Sequence, residues 1–158
     1  MTKALEEVRK QEFKVAAEKE LRRCLRYQNF ASLLLLSVSP GALSAGYNGS
    51  SAITNDRLLA LLKSALRETD VIDLQTEDLI TVLLLYSDKN AAQGVGERLK
   101  DWISNYVGGK EDSSTLKVHF GGACFPSHAT DYVTLFQKAS QMVEKARNSG
   151  QGQVQIFE

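Results

Sequence analysis

Arg67, Asp70 and Arg98 are the residues of this chain best suited to hold a polar ligand. The run Arg67-Glu68-Thr69-Asp70 sets a forked guanidinium, which donates hydrogen bonds, three residues from a carboxylate that accepts them. A polar turn, Gln75-Thr76-Glu77-Asp78, follows, and Gly96-Glu97-Arg98-Leu99 supplies the second arginine. Each charge also has a plain structural use. Arg67 at a helix C-terminus suits the dipole, Asp70 can be its salt-bridge partner, and Arg98 fits a solvent-facing helix position beside Glu97.

The elements that position these residues follow from periodicity. Residues 3–27 lack proline and glycine and place Phe13, Ala17, Leu21 and Cys24 or Leu25 at helical spacing, predicting a long amphipathic helix with a basic second half. Phe30 to Val38 is almost wholly apolar, the pattern of a central strand buried on both faces. Ser39 to Ser51 reads as a loop, and Thr54 or Asn55 can cap a helix carrying Leu58, Leu61 or Leu62, and Ala65 to an end near Arg67. Val71–Leu74 and Ile80–Tyr86 read as a hairpin, so the arginines and Asp70 lie near element ends, where function is usually carried.

Ser87 or Asp88 then caps a helix with Ala92, Val95, Leu99, Trp102 or Ile103, and Tyr106 on one face, and Gly108–Ser114 is a polar loop. Leu116 to Phe120 alternates as a half-buried strand, with His119 on the polar phase as a rim residue, and runs into Gly121-Gly122-Ala123-Cys124-Phe125-Pro126. Those glycines precede no capped helix at the spacing a phosphate loop needs. A last helix spans Thr130–Asn148, Gly150 to Gly152 stops it, and Val154 with Ile156 marks a final strand. The alternation of helices with antiparallel strands predicts an α+β fold.

Composition narrows the classes further. The chain has 158 residues, 43% of them hydrophobic, and a formal net charge of zero, so bulk electrostatics favours neither nucleic acid nor an anionic membrane. Its charged N-terminus is not a secretory signal, and the apolar run Leu33–Leu36 is too short to span a bilayer, which predicts a cytoplasmic protein. Cys24, Cys124, His119 and His128 have no metal-ligand spacing, and the cysteines suggest no disulfide framework.

Taken together, these residues resemble the GGDEF domain of bacterial diguanylate cyclases over residues 20–157. Leu58-Leu59 through Ala65-Leu66-Arg67-Glu68-Thr69-Asp70-Val71-Ile72 is similar to the helix leading into that family's RxxD motif. Five residues separate Asp70 from Thr76-Glu77-Asp78-Leu79-Ile80, which occupies the signature position without a gap. Gly121-Gly122-Ala123, Pro126, Ala139, Ala146-Arg147 and Gly150 follow the closing strand and helix. The resemblance implies a nucleotidyl-cyclase or ferredoxin-like mixed sheet of about five strands flanked by helices, with a leading helix at 1–28 and a degenerate GGDEF-like domain at 29–158.

Family chemistry joins two GTP into cyclic di-GMP with a divalent metal held by two carboxylates. Here the first-strand position is Ser37 and the next acidic position Ser39; the hairpin keeps Asp78, but Leu79 follows it. Thr76 and Glu77 replace glycines that admit phosphate, and the guanine-binding asparagine is lost at Ala45-Gly46, although Asp56 matches a guanine contact. The expectation is therefore no catalytic residues, no cofactor, no functional magnesium site and no enzyme activity. The family's product site, by contrast, is matched by Arg67, Asp70 and Arg98, which implies a cyclic di-GMP receptor. A homodimer or ligand-bridged dimer would suit that role, without nucleic acid or membrane. The alternative is a nucleotide-free interaction or dimerisation domain serving an unknown protein partner.

Overall fold

A computed structural model describes residues 2–38, 55–76, 78–108, 118–149 and 154–158. The expected loop Ser39–Ser51, with Ala45-Gly46, and the expected loop Gly108–Ser114 beyond Gly108 lie outside the described residues, as do Thr54, Glu77, Leu116, residues 150–153 and the side chains of Asp56 and Tyr106. The elements run α1 (Lys3–Tyr27), β1 (Ala31–Val38), α2 (Asn55–Ala65), β2 (Val71–Thr76), β3 (Leu79–Leu85), α3 (Lys89–Gly108), β4 (Val118–Phe125), α4 (Tyr132–Ser149) and β5 (Val154–Ile156). This is the expected α+β architecture with its long leading helix.

All eight residues of β1 are buried, because β1 is the middle strand of a five-stranded sheet ordered β2-β3-β1-β4-β5. It pairs antiparallel with β3 and β4, while β4 and β5 are parallel, so the sheet is mixed. Alternation along β1 sends Leu34 and Leu36 to a core with Leu58, Leu62, Leu99 and Ile103 of α2 and α3. Leu33 and Leu35 face the opposite core, with Leu21 of α1 and Leu135 of α4. Each buried leucine contributes roughly 1.5–3 kcal/mol relative to exposure. The continuous apolar run is thus explained by helices on both faces.

Boundaries differ from the periodic reading: β1 begins at Ala31 and leaves Phe30 exposed, β3 ends at Leu85 and not Tyr86, α4 begins at Tyr132 and not Thr130, and the hairpin and β4 differ further. β2 continues to Thr76, with a register irregularity between Leu74 and Thr76, and β3 begins at Leu79, so the hairpin turn is shorter than expected. β4 extends through Gly121-Gly122 to Phe125, because Gly121 lies against the backbone of α4 and Gly122 against Leu34 and Ile156. His119 is half-buried opposite Ser37, consistent with a rim position. Asp88 caps α3 by accepting from the Ala91 amide at 2.9 Å, and Asp131 caps α4 from the Thr134 amide at 2.8 Å.

A turn after β4 carries a pH-sensitive contact. His128 Nδ1 accepts a hydrogen bond from the Cys124 amide at 2.9 Å, so it must be unprotonated there. Burial, followed by the charges of Lys138 and Lys89, lowers the His128 pKa. The unfolded chain then binds this proton more readily than the folded chain. Stability from His128 is therefore present above its unfolded value of about 6.5 and lost as pH falls below it. Thermal unfolding at about pH 7.5 and 5.5 should give a lower Tm at the acid end, with a smaller difference in His128→Gln.

Candidate functional site

The C-terminus of α2 is closed locally by the Leu66 amide donating to the Lys63 carbonyl at 3.2 Å, and the Asp70 amide then donates to the Arg67 carbonyl at 3.1 Å. This turn folds Asp70 back on Arg67. The Asp70 carboxylate accepts from the Arg67 amide at 3.0 Å, from Nε at 3.5 Å and from Nη2 at 3.4 Å. Arg67 Nη2 also donates to the Leu85 carbonyl at 2.7 Å and the Ser87 hydroxyl at 3.2 Å, tying α2 to the end of β3. The Asp70 side chain is 3% exposed and that of Arg67 53%, so the acid is covered while the arginine stays partly in solvent.

Arg98 reaches the same corner from α3, donating from Nη2 to the Ala65 carbonyl at 3.1 Å. That carbonyl belongs to the last residue of α2, where a cation meets the negative end of the helix. The structure thus gathers Arg67, Asp70 and Arg98 at one helix end. Their structural uses are real, but Arg98 is exposed and spans 33 residues of sequence to reach its acceptor. Ser87, read from the sequence as a possible helix cap, is instead buried beneath Arg67, a contact that only the fold creates.

The signature hairpin lies at the opposite end of β3, about 20 Å away for a seven-residue strand. Thr76 Oγ1 donates to Asp78 Oδ1 at 2.6 Å, and the Val38 amide donates to the Asp78 carbonyl at 2.9 Å, pinning the turn to β1. Ile80 is fully buried and Leu79 packs in the core facing α1 and α4. A cavity of about 210 Å³ opens beside them, lined among others by Ser37, Thr76, Asp78, Ser140, Glu144 and Arg147. Arg147 Nη2 donates to the Ser37 hydroxyl at 2.5 Å and Nη1 to Glu144 at 2.5 Å. The Ser37–Arg147 pair, 110 residues apart, left no local signal in the sequence.

Thiol chemistry finds no support: burial pushes both the Cys24 and Cys124 thiols up. Among the described residues no cluster of three or more His, Cys, Asp or Glu could hold a metal ion, and no helix is long and apolar enough to cross a membrane.

Comparisons with known proteins agree on the fold. No curated protein matches the chain. Among solved structures, the GGDEF domain of TpbB (YfiN) from Pseudomonas aeruginosa superposes with a TM-score of 0.78 at 16% identity, covering 94% of this chain and 88% of that one. The GGDEF domain of DgcB from Caulobacter crescentus, in complex with c-di-GMP, gives 0.75 at 10% identity over 92% and 88%. The active GGEEF domain of a diguanylate cyclase from Vibrio cholerae gives 0.73 at 12% identity over 94% and 96%. Residues 56–153, more than half of the chain, match the family described as diguanylate cyclase, GGDEF domain. Sheet order, helix placement and this match lead to one conclusion: the chain belongs to the GGDEF domain family.

Proposed function

We propose that this GGDEF domain is a receptor for cyclic di-GMP without cyclase turnover, binding through Arg67, Asp70 and Arg98. The observation that carries this reading is the placement of two exposed arginines, Arg67 after α2 and Arg98 on α3, at one end of α2, with the shielded Asp70 carboxylate holding the first. Arginine forks suit the O6 and N7 edge of guanine or a phosphate, and Asp70, covered and bonded by Arg67, serves by orienting that guanidinium. The relative from Caulobacter crescentus was solved with c-di-GMP, which makes this ligand the first to test.

The opposite end supports the absence of turnover. Magnesium asks for carboxylate oxygens in near-octahedral array. The residues here offer the Ser37 hydroxyl, held by the Arg147 guanidinium, Asp78, bonded by Thr76, and Glu144, already ion-paired with Arg147. A fixed cation beside Ser37 repels a second cation, so this donor set does not fit the family's metal.

Calorimetric titration of cyclic di-GMP should give micromolar or tighter binding, weakened about tenfold or more in Arg98→Ala. Incubation with GTP and magnesium should yield no cyclic product, and light scattering should show whether ligand bridges two copies. Heat-free titration without a thermal shift would overturn the receptor, and product formation would overturn the inactivity. A second reading, a nucleotide-free interaction or dimerisation domain, draws on α1, which leaves Leu5, Val8 and Val15 exposed. It predicts no nucleotide effect at all.

A further inference from the structure

The exposed aromatics among the described residues are Tyr27, Phe30, Tyr86 and Trp102. Tyr86 differs from the others in its backbone and its neighbour. Its φ is 58°, in the left-handed region where a bulky side chain is strained. It directly follows β3, whose ladder ends with Leu85 opposite Ala31. The chain is fixed again at Ser87, whose amide donates to the Phe30 carbonyl at 3.3 Å.

Arg67 holds both sides of this residue. Its Nη2 donates to the Leu85 carbonyl at 2.7 Å and to the Ser87 hydroxyl at 3.2 Å, and Tyr86 is the single residue between them. Glycine would serve this turn without strain, and Tyr86 is 56% exposed, so packing within the domain repays little of its cost. A strained, outward aromatic bracketed by an arginine combines a flat face with a hydrogen-bonding edge. Purine recognition needs both.

We infer that Tyr86 is a stacking platform for a guanine base of cyclic di-GMP, with Arg67 beside it holding the edge or phosphate. This rests on the receptor reading and adds to it a contact that the motif residues do not supply. Stacking depends on the ring face and not on the hydroxyl, so Tyr86→Phe should bind within about twofold of wild type. Tyr86→Gly removes the ring while relaxing the backbone, and should weaken binding about tenfold or more without lowering Tm.

Calorimetric titration of cyclic di-GMP into wild type, Tyr86→Phe, Tyr86→Gly and Arg98→Ala decides the matter. Tyr86→Asn, which also tolerates left-handed backbone, replaces the glycine variant if that one melts early. Full affinity in Tyr86→Gly with weakened Arg98→Ala overturns the platform and leaves the receptor standing. Equal losses in the Phe and Gly variants assign the contact to the hydroxyl and overturn stacking. A wild type that does not bind overturns the receptor and Tyr86's role with it.

Discussion

Gly121→Ala is expected to cost the fold about 3 kcal/mol, the upper end of ordinary overpacking. A Cβ at that position would lie 2.2 Å from the Val143 amide nitrogen, 2.7 Å from the Met142 carbonyl carbon and 2.8 Å from the Ala139 oxygen. These are backbone atoms of α4, and no rotamer change moves them. The helix would have to lift from β4, loosening the layer in which Leu35, Leu135, Ala139 and Val143 are buried. Gly94→Ala is the internal control, since its Cβ meets nothing within 4 Å and alanine favours a helix interior by about 1 kcal/mol. Urea midpoints should therefore move in opposite directions. A Gly121→Ala midpoint equal to wild type would mean that α4 does not pack on β4 through this glycine.

Strong local signals and long-range contacts divide what the sequence could disclose. The run Phe30–Val38 announced a strand buried on both faces because such strands read as near-continuous apolar runs, although Phe30 itself lies before β1 and is exposed. Helical periodicity located the helices, although it could not choose between Leu61 and Leu62 or Trp102 and Ile103; Leu62 and Ile103 are the buried ones. The extension of β4 through two glycines was hidden because glycine disfavours strands in isolation, and only the approach of α4 gives Gly121 its reason. At the arginine corner, Arg67 and Asp70 were legible through their spacing. Ser87 and the Leu85 carbonyl were not, since they reach Arg67 through the β2–β3 pairing. Tyr86 is invisible to pattern reading for another reason: its importance lies in φ, which periodicity does not report.

Replacing Arg67 by alanine should produce the largest binding loss, about a hundredfold, if the receptor reading holds. One bidentate arginine contact is worth about 1–3 kcal/mol, and the same change releases the two anchors that bracket Tyr86. Arg67→Ala also leaves the Asp70 carboxylate, 3% exposed, with fewer donors, at a stability cost of about 1–2 kcal/mol. Reduced binding in the single variant therefore mixes two causes. Adding Asp70→Ala separates them in part by removing the acid that Arg67 would strand. The double variant should regain part of the lost Tm, yet bind no better than Arg67→Ala, because a ligand cannot use a guanidinium that is absent. Parallel recovery of Tm and affinity would reduce Arg67 to a clasp on Asp70. Divergence of the two is what a ligand-contacting arginine requires.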